Sequence, residues 1–298
     1  MIIKFIILLI IIILVVLVVY MIWRRQFGPP NENYIPILAY HKVDTRFELG
    51  GTWTTPRQFK MQMEYIRSKG IVPVTLSQAG ELMRKGESRN QKYICITFDD
   101  AYEGLYHHAW PILKEYGFSA TIFVVTDYVG RDNDWDVNWG GRKFKHLRWE
   151  QIKEMSTGGI EFGSHTCSHQ DVRYLNEREL EKELLESKFA LENNLGKKIQ
   201  TLSYPFGRYN QRVKDTAEKC GYIFACSLSP AMKNSQIDFL ALRRCAVYIT
   251  DNISGFENKI FQEKSGFWLQ DLWCRIVNFC AGGTIMVKRA GKIMFKIK

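Results

Sequence analysis

Two adjacent aspartates, Asp99 and Asp100, and a histidine pair spaced as His165-x3-His169 are the residues of this 298-residue chain best suited to do chemistry. One carboxylate with two imidazoles can hold Zn²⁺ and leave positions open for water and a reactant, as hydrolytic metal sites do. Asp100, His165 and His169 are therefore the candidate ligands. Neighbouring carboxylates can also divide labour, so Asp99 can stay off the metal and act as a base. Each signal is weak alone: H-x3-H pairs occur without a metal, and tandem aspartates after a strand can simply cap the next helix. The H-E-x-x-H signature of many metalloproteases is absent.

What strengthens the set is its position on the elements that must carry it. Short apolar runs of β type recur at Pro36–Tyr40, Tyr93–Phe98, Ala120–Val125, Ile160–Gly163, Thr201–Tyr204 and Tyr222–Ser227, with a weaker one near Cys245–Ile249. Helical patterns lie between them, at Pro56–Lys69, Leu76–Lys85, Tyr106–Tyr116, Trp149–Ser156, Glu177–Asn194 and Asn210–Lys219. Thr55 before Pro56 is placed as an N-cap, and Gly70, Gly117, Gly196 and Gly221 stand where C-caps belong. Strands alternating with helices predict an α/β protein with a parallel sheet covered on both faces, closed or nearly closed into a barrel. In such a barrel the carboxyl ends of the strands share one rim. His41 follows ILAY, Asp99 and Asp100 follow ICITF, His165 follows IEFGS, and Pro205-Phe206-Gly207 follows TLSY. Four strand ends thus converge.

TFDDAYEG (97–104), SHTCSH (164–169) and SYPFG (203–207), in this order and spacing, resemble the NodB-homology polysaccharide deacetylases of carbohydrate esterase family four. IPILAYHKV (35–43) resembles the branch containing poly-N-acetylglucosamine deacetylases, and the likeness covers roughly residues 35–250. The resemblance implies a distorted (β/α)7 barrel and metal-dependent hydrolysis of N-acetyl, or sometimes O-acetyl, groups on sugars. It implies Asp99 as the catalytic base, Asp100, His165 and His169 as ligands of Zn²⁺ (or Co²⁺ or Ni²⁺), and the Phe206 backbone N–H as an oxyanion donor. Much of the family uses a late Leu-x-His as the acid, and no histidine follows His169 here. The branch with the early Tyr-His motif implies His41 instead. Ser203 stands where many relatives carry an Arg that orients the base; Arg208, Arg243 and Arg244 are the nearby arginines, and which of them substitutes is open. Ala101 replaces a common Gly. Tyr204, Pro205, Arg208, Trp135 and Asp136 are candidate substrate contacts, the last two in a loop whose tryptophans suit either sugar stacking or packing.

Beyond the barrel, Phe5 to Trp23 is a run of 19 uncharged residues ending in Arg24–Arg25. As a helix it would span about 28 Å, so residues 5–23 are read as an uncleaved single-pass anchor. Residues 26–34 follow as a linker, 35–260 as the catalytic domain and 261–298 as a tail. In the tail Leu269, Trp273, Ile276, Val277 and Cys280 make one stripe, suited to a membrane surface or to packing on the barrel. The net charge of +10 is concentrated at the ends: Lys4, Arg24 and Arg25, then Lys288, Arg289, Lys292, Lys296 and Lys298. A near-neutral middle does not demand a nucleic-acid partner, and the apolar run with the basic tail makes membrane lipid the expected one. Seven cysteines without a C-x-x-C pair argue against a disulfide scaffold or a thiolate zinc ribbon, and Cys167 is read as a packed thiol. Thiols and the basic tail favour the cytoplasmic side, whereas polysaccharide chemistry favours the extracytoplasmic side. The expected function is removal of N-acetyl groups from an amino-sugar polysaccharide or its precursor. The alternatives are a deacylase or deformylase of a lipid-linked glycan on the cytoplasmic face, and a non-catalytic carbohydrate-binding scaffold.

Overall fold

The near-continuous apolar runs do become strands buried on both faces, because helices cover one side and the barrel interior the other. The computed structural model describes residues 10–21, 33–48, 51–89, 91–134, 143–228 and 236–261. Within these, β1 (Ile37–Tyr40), β4 (Val72–Val74), β5 (Tyr93–Phe98), β6 (Thr121–Val124), β7 (Glu161–Ser164), β8 (Thr201–Ser203), β9 (Phe224–Ser227), β10 (Leu242–Arg243) and β11 (Cys245–Ala246) form one all-parallel sheet. β2 (Lys42–Val43) and β3 (Trp53–Thr54) make a separate parallel pair beside it. The spatial order is β10-β9-β8-β7-β6-β5-β1-β11, with β4 on the amino half of β5.

β10 and β11 are two halves of one extended segment with Arg244 between them. The first half pairs with β9 through Leu242↔Cys226, and the second pairs with β1 through Leu38↔Cys245. One split stave thereby joins both ends of the sheet and nearly closes the barrel, and that split is its distortion.

The covering helices are α2 (Pro56–Ser68), α3 (Leu76–Lys85), α4 (Trp110–Tyr116), α5 (Trp149–Thr157), α6 (Glu177–Leu195), α7 (Gln211–Lys219) and α8 (Ile253–Phe261). Thr55 caps α2, and reciprocal capping boxes start α3 at Thr75 and α6 at Asn176. An outer core of Leu38, Phe59, Met63, Ile96, Phe98 and Ile122 packs strands against helices. A smaller inner core, including Ile37, Cys95, Phe123, Phe224, Cys226 and Leu242, fills the amino half of the barrel. Side chains alternate along each strand, so Cys95, Thr97 and Asp99 rise through the same interior from apolar floor to polar rim.

Several elements differ from expectation, the two-residue strands β2, β3 and β10 among them. β4 was not expected; Pro73 sits within it, and a proline weakens a strand pattern unless the strand lies at an edge. The helix expected over Tyr106–Tyr116 is a π turn at Leu105–Ala109 leading into α4. Pro111 lacks an N–H and would clash with the carbonyl four residues back, so the preceding turn widens. α8 was also not expected. Residues 10–21 form helix α1, apolar and exposed. Among the described residues no helix is long and apolar enough to cross a membrane. The rest of the expected anchor, most of the linker, residues 262–298, Trp135 and Asp136 lie outside the described residues.

Candidate active site

The rim is built where strands end, and its backbone is bent there in an unusual way. Among the described residues five that are not glycine have positive φ: Asp100 (69°), Ala101 (54°), Thr166 (66°), His169 (57°) and Phe206 (59°). All five lie in the loops after β5, β7 and β8. Such conformations cost of order 1–3 kcal/mol each and persist where surrounding contacts hold them. The Pro205-Phe206-Gly207 turn also needs its glycine, since a Cβ on Gly207 would lie 2.3 Å from the Leu228 nitrogen.

The bent loops gather Asp100, His165 and His169. Nε2 of each histidine lies 3.5 Å from Asp100 Oδ1, and all three ligand atoms fall within 4.8 Å of one another. Bonds of about 2.1 Å to one ion put neighbouring ligand atoms roughly 3.0–3.4 Å apart, so the two His–Asp separations suit a divalent cation and the wider span of the set closes by a small inward shift on binding. Ring orientation is fixed from outside. His165 Nδ1 is 2.7 Å from the Ser203 carbonyl, which can only accept, so the proton sits on Nδ1 and Nε2 keeps its lone pair. Burial lowers the pKa of both His165 and His169, keeping the rings neutral as ligation requires. His169 also packs edge-on against Phe206, with centroids 4.6 Å apart.

Asp99 sits beside this group, in the same interior column as Thr97, and is clamped by Arg244. The guanidinium donates Nη1–H to Oδ1 and Nη2–H to Oδ2, both at 2.7 Å. It also donates to Thr97 Oγ1, Ser203 Oγ and the Ser227 carbonyl, so one arginine ties together β5, β8, β9 and the closing stave. Burial works to raise the Asp99 pKa, but Arg244, with His165 and His41, overrides it and holds the carboxyl well below the usual carboxylate range. Of the three arginines left open by the sequence, Arg244 is the one on the base. It reaches the carboxylate from the far end of the domain, with Ser203 leaving room for it.

His41 follows β1, whose pairing of Tyr40 with Phe98 sets it level with Asp99 on the next stave. Burial pulls its pKa down to about 4; Asp99 opposes this, while Arg244, His165 and Lys42 add to it.

Of the candidate substrate contacts, Tyr204 is corrected by the structure. Its side chain is fully buried, stacked on Tyr209, and its hydroxyl donates to the Leu240 carbonyl, so it packs the wall rather than facing a sugar. Pro205 is likewise buried and shapes the turn. Arg208 remains at the edge, 5.9 Å from the Phe206 ring centroid and tied to the buried Asp171 at 3.4 Å.

One supporting residue, His146, had no role in the sequence reading, and Cys167 takes the packed position expected of it. His146 is 2% exposed, stacked on Tyr102, and its Nδ1 lies 2.6 Å from the Asp100 carbonyl, holding the bent backbone. Burial pushes its pKa down to about 4. Cys167 turns its thiol to the Glu183 carbonyl at 3.5 Å, and burial pushes that thiol up to about 12. It is not a ligand.

A parallel barrel carrying one carboxylate and two neutral histidines at its carboxyl rim, next to a second, charge-clamped carboxylate, has the parts of a metal-assisted hydrolase. Comparison with known proteins narrows that class. Residues 86–225 match the family described as polysaccharide deacetylase. YxkH of Bacillus subtilis strain 168, whose name assigns it provisionally to the polysaccharide deacetylases, is 31% identical over 222 residues, covering 74% of this chain and 73% of its own. A poly-beta-1,6-N-acetyl-D-glucosamine N-deacetylase of Staphylococcus aureus is 28% identical, over 66% of this chain and 73% of that protein. The structure of IcaB from Ammonifex degensii superposes with a TM-score of 0.62 at 25% identity, covering 78% of this chain and 95% of that one. That of the Streptococcus pyogenes deacetylase PplD superposes at 0.67 with 24% identity, covering 76% and 97%. The chain belongs to the polysaccharide deacetylase family, and its barrel is of the NodB type.

Proposed function

We propose that the protein is a membrane-anchored hydrolase that removes N-acetyl groups from an amino-sugar polysaccharide or its precursor, using Asp99, His41 and an ion held by Asp100, His165 and His169. The observation that carries this reading is the Arg244 clamp, which keeps Asp99 ionised within the same pocket as the ligand group. A carboxylate so held stays ionised although buried, and is therefore free to accept a proton, with Arg244 setting its orientation at some cost in basicity. The N-deacetylase relative in Staphylococcus aureus supports an N-acetylglucosamine polymer as the substrate class.

A bound divalent ion, Zn²⁺ in the first instance with Co²⁺ or Ni²⁺ as alternatives, would polarise the acetamide carbonyl and acidify water. Asp99 takes a proton from the water that attacks that carbonyl. The backbone N–H of Phe206, in the bent turn after β8, donates to the oxygen as it becomes negative. His41 delivers the proton that the departing amine needs. Burial keeps its ring neutral at rest, so the proton it passes on is the one Asp99 has taken from the water, drawn to the ring as negative charge builds on the carbonyl oxygen and leaving Asp99 ionised again. Acetate and a free amino sugar result. Arg208, beside Phe206, is assigned to the sugar rather than to the reacting bond.

Residues 5–23 are proposed as the anchor on the strength of their uncharged run, with lipid as the second partner. Retention in the membrane fraction after alkaline carbonate would support it, and release would refute it. The activity is tested with the full chain in detergent, by acetate release from β-1,6-linked N-acetylglucosamine oligomers. Chelator-sensitive release, restored by Zn²⁺ and lost in Asp99→Asn, supports the proposal. A protein that binds the ion yet releases no acetate from any acetylated oligomer would overturn it.

A further inference from the structure

The loop between the two ligand histidines is held by a carboxylate that is not one of the candidate ligands. Glu183, on α6, accepts the backbone N–H groups of Cys167 and Ser168 on Oε2, both at 2.9 Å, and the Ser168 hydroxyl at 2.5 Å on Oε1. Gln170 Nε2 adds to both Ser168 Oγ and Glu183 Oε1. Two of the three residues between His165 and His169 are therefore held by one side chain. Consecutive backbone N–H groups form a concavity that binds anions, and here the anion is supplied by the protein. Four residues along the same face of α6, Ser187 Oγ meets Ser164 Oγ at 2.7 Å, which in turn accepts the Thr166 N–H at 3.1 Å. Thr166 Oγ1 then accepts the His169 N–H at 3.2 Å. Thr166 and His169 are the two residues of this loop at positive φ, and Thr166 is β-branched, for which that conformation is a true outlier.

We propose that Glu183 is a positioning residue for metal binding: it holds the 165–169 loop in the strained conformation that aims both histidines at one ion. The inference rests on the reading of Asp100, His165 and His169 as ligands. In its absence the loop can relax Thr166 and His169 to ordinary backbone, and the two rings then no longer converge before the ion arrives. The ion must itself supply the ordering, so its affinity falls.

Zn²⁺ affinity of the full chain in detergent, measured by chelator competition, tests this, together with the melting temperature of the metal-stripped protein. Glu183→Ala is expected to weaken Zn²⁺ on the order of tenfold to a hundredfold, the range seen when groups supporting a ligand are removed. Glu183→Gln keeps an acceptor oxygen for the two N–H groups and is expected to recover most of that loss. Glu186→Ala removes a carboxylate one turn-edge away on the exposed face of α6 and is expected to leave affinity within twofold, which separates positioning from a general field effect. The inference is overturned if Glu183→Ala binds Zn²⁺ as tightly as the parent, whatever its melting temperature. It is also overturned if Glu186→Ala loses as much affinity. A parent chain that binds no Zn²⁺, or binds it equally after His169→Ala, would refute the ligand assignment itself and this inference with it.

Discussion

The loops after β5 and β7 reach the same unusual backbone by opposite chemistry. Each places two non-glycine residues at positive φ, Asp100 and Ala101 in one and Thr166 and His169 in the other. In the first, an imported donor is used: the His146 ring binds the Asp100 carbonyl. In the second an imported acceptor is used: the Glu183 carboxylate binds the Cys167 and Ser168 amides. The donor comes from a loop bridged to Tyr102, whereas the acceptor comes from a 19-residue helix with a capping box. The lesson is that the ligand geometry depends on side chains that would never touch an ion. It is also that the two halves of the site should fail differently, the β5 side through its loop partner and the β7 side through α6.

The largest effect is expected at the base on the β5 side. Asp99→Asn should reduce turnover by about 10²–10⁴-fold while leaving Zn²⁺ affinity near the parent's, since the ligands are untouched. Steady-state kinetics with equilibrium metal titration checks this, and an active Asn variant would remove Asp99 from the mechanism. Arg244→Met should come next. It leaves a buried carboxylate unpaired, which costs about 3–5 kcal/mol in chemical denaturation and raises the Asp99 pKa, moving the acid limb of kcat/KM to higher pH. A variant as stable as the parent, with an unmoved limb, would show that the clamp does neither.

His146→Ala should be smaller. Losing one buried hydrogen bond should cost about 1–3 kcal/mol and weaken Zn²⁺ through Asp100 alone. If it weakened binding no more than a surface change, the parallel between the two loops would break. Acid sharpens the comparison further. His41 and His146 are held down to about 4, so the folded protein refuses protons that the unfolded chain accepts below about 6.5. Their contribution is complete above pH 6.5 and is lost as pH falls towards 4, at up to about 1.4 kcal/mol per pH unit for each ring. The Asp99–Arg244 pair has the same sign but a lower window: its stabilisation is intact between pH 6.5 and 4, adds no slope there, and is lost only as pH falls below the ordinary carboxylate range. Denaturation of metal-stripped protein across that range, with and without His146, resolves the two. The smallest expected effect is a gain: Ala101→Gly at φ 54° should stabilise by about 0.5–1 kcal/mol without changing kcat.

Most of the barrel was legible because its staves are short uninterrupted apolar runs, and alternation with capped helices fixes their direction. The bounds of β5 and α3 agree with the sequence reading to the residue. What stayed illegible carries mixed signals. Pro73 hides β4, and the charges of Arg243 and Arg244 make the closing stave read as surface, although a charge inside LRRCAVYI should itself suggest a buried partner. The residues of the ligand set announce themselves by type and spacing. His146 and Glu183 do not, since one sits in an irregular loop and the other on a helix that looks solvated from its sequence. Tyr204 was misjudged because membership in the SYPFG motif says nothing about which way a ring points.

The closing stave also sets an order of events in the cell. Asp99 is made 145 residues before Arg244, and the last pairing, of β11 with β1, joins positions more than two hundred residues apart. A chain still on the ribosome can thus display its aspartates and histidines long before the guanidinium emerges to pair with the base. Ribosome-bound chains stalled before Leu242 should be inert and unusually sensitive to proteases, becoming resistant and active together when the final stave is released. Activity would then appear only once the stave that carries Arg244 has been made and has paired with β9 and β1.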